Sequence, residues 1–191
     1  NDLVALQINH LTSTTNVPQK HVCIIHINIS TGQIIIHDII QHYSKTDEDV
    51  IRILNSIQPC EILMQESDDI LIQKVKKYFD TRAFIRLFLM DKCFTDFNYQ
   101  KEILLRTYSS VIELPLQNYS HVFPLLTYLL DFLYQHDHTI LSYLQIPKIQ
   151  TCKFYYNLDA FQELHILKNG EDGQGKSLLN IIDKTKTAMG G

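Results

Sequence analysis

The chain contains little glycine and little proline, and it has no large excess of positive or negative charge. Its 191 residues include 6 glycines and 5 prolines, too few for a fibrous or disordered chain. The formal net charge is only −4, with acids and bases interspersed, which argues against a dominant nucleic-acid-binding surface because such a surface shows clustered lysine and arginine. Hydrophobic residues make up 45% of the chain. That share is ample for a buried core, and the length of the chain fits one large or two small domains.

Long apolar runs and a secretory signal are also missing. The longest apolar run, Val122 to Tyr134, is shorter than the roughly 20 residues that span a bilayer, and no signal pattern stands at the start. The four cysteines contain no Cys-x-x-Cys pair: Cys23, Cys60, Cys93 and Cys152. Their number leaves disulfides open, but their context favours reduced thiols. We expect an intracellular protein with no membrane partner.

Hydrophobic alternation predicts three consecutive antiparallel strands at the start of the chain. The first covers Leu3 to His10, and a polar loop from Thr12 to Lys20 leads to the second, His21 to Ser30. Isoleucine at every other position gives this second strand an apolar face. A turn at Gly32, where a positive φ has no steric cost, leads to the third strand, Gln33 to Ile40.

Helices then alternate with strands. Thr46 with Asp49 predicts a capped helix start, and Pro59 ends that helix. The remaining predicted elements are the strand Glu61 to Met64, a helix capped at Ser67 to Asp69, the strand Phe84 to Met90, and helices at Tyr99 to Tyr108 and Ser120 to Tyr134. The order β-β-β-α-β-α-β-α-α is that of ribonuclease-H-like folds. We predict the α/β class, with a ribonuclease-H-like mixed sheet flanked by helices, followed by a partial α-helical segment.

The closing residues, Ser177 to Gly191, carry the most specific resemblance in the chain. Their pattern Ser-Leu-Leu-x-x-(Leu/Ile/Val)-Asp-x-Thr-x-Thr-x-(Met/Phe)-Gly resembles a segment in the core of the MutS family of DNA mismatch-repair proteins. In that family an Arg-Leu-Leu run usually follows at once. The sequence stops just before that position and starts at Asn1, without a methionine. We therefore expect a piece of a longer protein.

Four further segments are similar to the same family. Ile27 to Gly32 resembles its Asp-(Ile/Val)-Ser-Thr-Gly turn, with Asn28 where Asp is common. Pro59 to Leu63 is similar to its Pro-x-Glu-(Ile/Leu)-(Leu/Val) junction between a helix and a strand. The helix from Ser120 resembles the last helix of the family's connector domain. Leu158 to Ala160 resembles the start of the first core helix. The family usually carries Asn-Leu-Glu several residues later, whereas here Glu163-Leu164-His165 comes about two residues early.

The resemblance implies a domain plan and a function. Residues 1–138 would form the ribonuclease-H-like connector domain, and residues 139–191 the truncated start of the core, or lever, domain. The connector would link the mismatch-binding, core and ATPase parts and offer a surface to a MutL-type partner, without being catalytic itself. The full-length protein would be a DNA-dependent ATPase and a homo- or heterodimer that binds mismatched DNA through other domains. ATP and Mg²⁺ would belong to its ATPase domain, and its compartment would be the bacterial cytoplasm, at the nucleoid, or a eukaryotic nucleus.

A P-loop nucleotide-binding domain is one alternative. Gly170 to Ser177 fits the pattern G-x-x-x-x-G-K-[ST], in which backbone N–H groups wrap a phosphate after a buried strand. The residues before it have a helical pattern instead. Glu171 and Asp172 would also bring negative charge against the phosphates. We interpret the segment as a variable glycine-rich loop between two core helices.

A metal-dependent nuclease with the ribonuclease-H-like fold is the other alternative. Such enzymes gather carboxylates from the first strand, a helix and a later strand to hold two cations. The middle of the first predicted strand offers Gln7 and Asn9 instead of an acid, and Asp38 lies in the third strand. The acids of Asp47 to Asp49 fall at a predicted helix start, where we expect them to stabilise the helix dipole and face water.

Histidines raise the question of a zinc site. His26, His37 and His42 lie near one predicted hairpin, and two more histidines flank Asp137. None of these groups has the spacing of a zinc motif. We therefore assign no catalytic, cofactor-binding or metal-binding residue in this chain.

Overall fold

The computed structural model describes residues 2–12, 18–108, 116 and 119–150. The chain divides into two units, Asn1–Cys152 and Lys153–Gly191, and every described residue belongs to the first. Of the predicted α-helical core segment, residues 139–191, only residues 139–150 are among the described residues. The motifs at Leu158 to Ala160, Gly170 to Ser177 and Ser177 to Gly191 lie outside them.

Six strands form one mixed sheet in the order β5-β4-β1-β2-β3-β6. They are β1 (Asp2–Thr12), β2 (Pro18–Asn28), β3 (Gln33–His42), β4 (Glu61–Gln65), β5 (Phe84–Phe88) and β6 (Lys148–Ile149). The first three form an antiparallel meander, while β4 runs parallel to β1 and β5 runs parallel to β4. A three-stranded meander extended by parallel strands beyond β1 is the ribonuclease-H-like arrangement. The predicted fold class is confirmed.

Helices cover both faces of this sheet. The α-helices are α1 (Tyr43–Ile57), α2 (Asp69–Phe79), α3 (Phe97–Thr107) and α4 (Phe123–His136), with short 3-10 helices at Lys92–Thr95, Ser120–Val122 and Ile140–Tyr143. Successive side chains of a strand point to opposite faces. One face, with Leu3, Ala5 and Ile25, packs against apolar residues of α3 and α4. On the other face α1 contacts β2 and β3, and α1 also contacts α2. No helix in these ranges is long and apolar enough to cross a membrane.

The turn between β2 and β3 explains the Asn-Ile-Ser-Thr-Gly sequence there. Gly32 has a φ of 70°, which favours glycine. A Cβ at this position would also collide with the carbonyl oxygen of Tyr143. Asn28 Oδ1 accepts hydrogen bonds from Thr31 N at 3.0 Å and from Thr31 Oγ1 at 3.1 Å. Its side chain therefore stabilises the turn, as an Asp side chain at the same position could.

The start of α1 differs from the prediction. The helix begins at Tyr43, so Thr46 lies inside it and is fully buried. Thr46 and Asp49 are therefore not a capping pair at the helix start. Asp47, the residue after Thr46, is also buried and takes part in ion pairs with two other elements, as described below.

Residues 139–150 belong to the first unit. Ile140 and Leu141 belong to the hydrophobic core beside α4, and Ile35 of β3 pairs with Lys148 of β6. The division into domains 1–138 and 139–191 remains a prediction from the family resemblance. These contacts add residues 139–150 to the sheet and core of the described unit.

Candidate functional site

Two polar clusters lie on opposite faces of the sheet, and both begin on β2. Lys20 and His21 are adjacent in that strand, so their side chains point to opposite faces. We call the group around Lys20 the lysine cluster (Lys20, Asp47, Asp68 and Lys74) and the group around His21 the histidine cluster (His21, Asp38 and His121). In each of them, carboxylates meet oppositely charged or chargeable partners from several elements.

Short ion pairs hold the lysine cluster together. Lys20 Nζ lies 2.5 Å from Asp47 Oδ1 and 2.6 Å from Asp68 Oδ2. Lys74 Nζ lies 2.7 Å from Asp47 Oδ2. The Lys20 side chain is 1% exposed and each carboxylate 7%. The cluster thus balances two ammonium groups against two buried carboxylates.

Three elements position these charges. Lys20 lies near the start of β2, and Asp47 lies in α1. Asp68 is the N-cap of α2, where its side chain accepts a hydrogen bond from Leu71 N. The expectation that Asp47 faces water is wrong, because Lys20 reaches it from the sheet. A carboxylate can be buried at this depth only with such partners.

The lysine cluster bears directly on the nuclease alternative. A two-metal site would place cations between carboxylates from a helix and from the segment after a later strand. Here the ammonium group of Lys20 bridges Asp47 and Asp68, while the neutral Gln7 of the first strand lies on the opposite face of the sheet, in the row of Cys23 and Asp38. The carboxylates of the lysine cluster are already neutralised by protein cations.

The histidine cluster joins two strands to the start of α4. His21 Nε2 lies 2.5 Å from Asp38 Oδ1, and His121 Nε2 lies 3.1 Å from the same oxygen. The two imidazole rings meet edge to face, with centroids 4.5 Å apart. The side chains of His21, Asp38 and His121 are 7%, 14% and 32% exposed. One edge of the cluster is therefore open to solvent.

Strand register accounts for two of the three residues of this cluster. In the antiparallel β2–β3 pair, Cys23 lies opposite Asp38 and His21 lies opposite Ile40, so His21 and Asp38 are diagonal neighbours on one face. His121 comes from the 3-10 helix Ser120–Val122, which precedes α4. Asp38 was a candidate from the sequence, whereas His21 and His121 were not. Alternation could have paired His21 with Asp38, whereas no spacing rule connects either of them to His121.

The charge of Asp38 affects its surroundings. Burial works to raise the pKa of Asp38, but the hydrogen bonds and charges of His21 and His121 outweigh it and lower the pKa below its usual value. The neighbouring Cys23 shows the opposite effect, since burial and the charge of Asp38 both raise the pKa of its thiol. Asp38 is thus an anionic acceptor, and Cys23 is a protonated, unreactive thiol.

The geometry allows the histidine cluster to hold a cation or to share protons. Each of its three residues offers one ligand atom, and these atoms lie within 4.8 Å of one another. Gln7 lies in the same cross-strand row as Cys23 and Asp38. Its buried Oε1 has no hydrogen-bond partner among the described residues.

The histidines considered from the sequence lie elsewhere. His26 Nε2 is 2.8 Å from Asp2 Oδ1, which also accepts a hydrogen bond from Asn28. His37 is buried, and burial, with the charge of His26, lowers its pKa to about 4. Asp137 follows the last residue of α4 and accepts hydrogen bonds from Thr139, as expected for a polar helix terminus. The side chain of His42 is outside the described residues.

Comparisons with known proteins give only distant structural similarity. No family model and no curated protein matches the chain. One similar solved structure is a Fowlpox virus resolvase in complex with Holliday junction DNA, at 12% identity and a TM-score of 0.38, covering 71% of this chain and 98% of that one. Another is a chain of a simian T-cell lymphotropic virus intasome bound to the PP2A regulatory subunit B56 gamma. It has 12% identity and a TM-score of 0.30, with coverage of 65% and 47%.

Proposed function

We propose that this chain is a non-catalytic binding and transmission module, the connector domain of a MutS-like mismatch-recognition protein with the start of its core domain. It would link the mismatch-binding, core and ATPase parts of a longer protein and dock a MutL-type partner. In this role the rigid sheet and its helices act as one body. The signal is carried by contacts that differ between the states of a distant ATPase.

The observation that carries the non-catalytic part of this proposal is the position of Lys20. Its ammonium group lies between Asp47 and Asp68, within 2.6 Å of an oxygen of each. Carboxylates held in this way are unfavourable sites for a divalent cation, because the lysine would have to leave or be repelled. A buried ion pair across a helix, a strand and a helix cap instead favours one fixed arrangement of these elements.

Two sequence motifs support the family part of the proposal. In the turn from Asn28 to Gly32, the side-chain oxygen of Asn28 accepts two hydrogen bonds from Thr31. The Asp that the family usually carries at this position could accept the same bonds. The junction at Pro59 follows Gln58, whose φ is 51°. Cys60 N then donates to Asp2 O at 2.9 Å, so the motif starts β4 beside β1.

Binding to a MutL-type protein tests the proposal directly. The exposed charges of the connector helices are the surfaces to change: Lys76→Glu with Lys77→Glu on α2, and Lys101→Glu with Arg106→Glu on α3. We expect the wild-type chain to bind in biolayer interferometry and one of these pairs to weaken binding by about tenfold or more, or about 1.4 kcal/mol. The other pair serves as the matched control, since both pairs change the net charge equally. Circular dichroism should show that both variants keep the wild-type fold.

Two results would count against the proposal. The first is an absence of binding to any MutL-type protein, or binding that neither charge pair alters. The second is Mg²⁺- or Mn²⁺-dependent cleavage of DNA by the purified chain that is lost in Asp47→Asn or Asp38→Asn. That result would favour the nuclease alternative.

A further inference from the structure

We propose that the histidine cluster is a binding site for a divalent transition-metal ion of the zinc class, with His21, Asp38 and His121 as its protein ligands. The proposal is independent of the connector role, because it concerns one face of the domain and not a partner surface. It rests on the distances, donor types, burial and charge of these three residues.

The distances between the ligand atoms fit a small metal ion. Zinc lies about 2.0–2.1 Å from histidine nitrogen and carboxylate oxygen, so in a tetrahedral site neighbouring ligand atoms are roughly 3.3 Å apart. His121 Nε2 is already 3.1 Å from Asp38 Oδ1, and His21 Nε2 is 2.5 Å from it. All three ligand atoms lie within 4.8 Å of one another. Binding therefore requires that the His21–Asp38 contact open slightly and that each histidine Nε2 release the proton with which it hydrogen-bonds to Asp38.

The donor types favour a transition metal over magnesium or calcium. Two imidazole nitrogens and one carboxylate oxygen suit zinc, iron, cobalt or nickel, whereas magnesium and calcium prefer oxygen ligands alone. Three protein ligands leave a fourth position for water. Gln7, in the same cross-strand row as Asp38, has a buried Oε1 without a hydrogen-bond partner among the described residues.

Charge distinguishes this cluster from the lysine cluster. In the described part of the chain, the ion pairs of Asp38 are with the histidines His21 and His121. A neutral histidine can exchange a hydrogen bond for a bond to a metal ion. Removing a buried lysine from its carboxylates would instead be strongly destabilising, because it leaves buried charges without a partner. The His121 side chain is 32% exposed and provides a path for the ion. The same edge would let water reach the fourth position.

A bound ion would connect distant parts of the chain. His121 lies immediately before α4, and it is 83 residues from Asp38 in the sequence. Metal coordination would therefore fix the start of α4 to β2 and β3. Since a site of this kind forms only in the folded state, binding should stabilise the domain.

Zinc titration of the full chain tests the proposal. The metal-free protein is titrated with Zn²⁺ by isothermal titration calorimetry, and with Co²⁺ while its visible d–d absorption is recorded. We expect one ion per chain, a higher melting temperature with Zn²⁺, and Co²⁺ bands of the intensity typical of four-coordinate sites. His121→Gln and Asp38→Asn should each weaken the affinity by about tenfold or more. His26→Gln is the matched control, since it removes another histidine paired with a carboxylate.

The outcomes separate the possibilities. The proposal is overturned if the wild-type chain takes up no Zn²⁺, or if His121→Gln binds as tightly as the wild type. Equal loss in His26→Gln would also overturn it, because the metal would then be bound elsewhere. Should Asp38→Asn fail to fold, the partly exposed His121 decides the question, with circular dichroism as the check on its fold. None of these results depends on the MutL-binding assay.

Discussion

The buried carboxylates on the two faces of the sheet have different partners. On the α1 and α2 face, Asp47 and Asp68 are held by Lys20, whose side chain is 1% exposed. On the α3 and α4 face, Asp38 is held by two histidines, one of which is 32% exposed. The first face contains a permanent cation and is closed, whereas the second contains groups that can lose their charge and is open at one edge.

This difference separates a structural site from a site that can bind a ligand. The ammonium groups of Lys20 and Lys74 balance the carboxylates of Asp47 and Asp68, so the lysine cluster is complete without any added ion. Histidines can serve as donors or acceptors of hydrogen bonds or as metal ligands. The comparison predicts that the lysine cluster controls stability and that the histidine cluster controls metal binding.

Lys20→Met is the change with the largest expected effect. Methionine keeps an unbranched apolar stem but leaves Asp47 and Asp68 buried without their shared partner. Breaking a buried ion pair from one side costs about 3–5 kcal/mol. We expect the free energy of unfolding, measured by urea denaturation in metal-free buffer, to fall by this amount.

A triple variant separates lost charge pairing from lost packing. Adding Asp47→Asn and Asp68→Asn to Lys20→Met removes both uncompensated charges, and the second of these changes keeps the cap of α2 because asparagine is a good N-cap residue. We expect more than half of the lost stability to return. If the triple variant is as unstable as Lys20→Met alone, packing of the lysine stem is the main contribution of Lys20, and the comparison between the faces is weakened.

His37 provides the next test, because it is a buried histidine on the face of the lysine cluster. Burial, with the charge of His26, lowers its pKa from 6.5 to about 4. Between these values the unfolded chain binds more protons than the folded one, so stability should fall as the pH falls from 6.5 to 4 and should lose nothing more from His37 below 4. The loss should reach about 3 kcal/mol.

Urea denaturation at a series of pH values measures this effect. We expect the slope of stability against pH in this window to be smaller in His37→Gln than in the wild type. His138→Gln is the control, because His138 is exposed after the end of α4. Equal slopes in wild type and His37→Gln would mean that the pKa of His37 is the same in the folded and unfolded states.

The sheet was predictable from the sequence because its signal is local. Alternating isoleucines in β2 and β3 predict strands, and the glycine at position 32 predicts their turn, which its φ of 70° confirms. The order of strands and helices then restricts the topology to few choices. The N-terminal cap of α2 was also predicted correctly, since Asp68 accepts the expected backbone hydrogen bond from Leu71.

The two clusters were not predictable because they depend on distant residues. Lys20 fell in a predicted loop, but β2 begins at Pro18, so alternation directs the lysine toward α1. The sequence predicted Asp47 to be an exposed acid at a helix start, because nothing in the local pattern indicated that Lys20 would contact it. His121 meets Asp38 across 83 residues, and only the packing of α4 brings them together. Strand boundaries and helix docking decide such contacts, and single-sequence patterns determine both poorly.

Lys74→Met is expected to have the smallest effect and makes the sharpest comparison, because Lys74 and Lys20 bind the same carboxylate. Lys74 Nζ is 2.7 Å from Asp47 Oδ2, close to the 2.5 Å of Lys20 from Oδ1, but its side chain is 46% exposed. Only the Lys74 end of this pair is solvated, and Asp47 keeps Lys20 as a partner when Lys74 is removed, so we expect a loss closer to the roughly 0.2–1 kcal/mol of an exposed pair. Urea denaturation should therefore give a loss several times smaller than that of Lys20→Met. The two lysines bind the same carboxylate at similar distances and differ mainly in exposure. If the two losses are equal, burial is therefore not what makes the Lys20 ion pairs important.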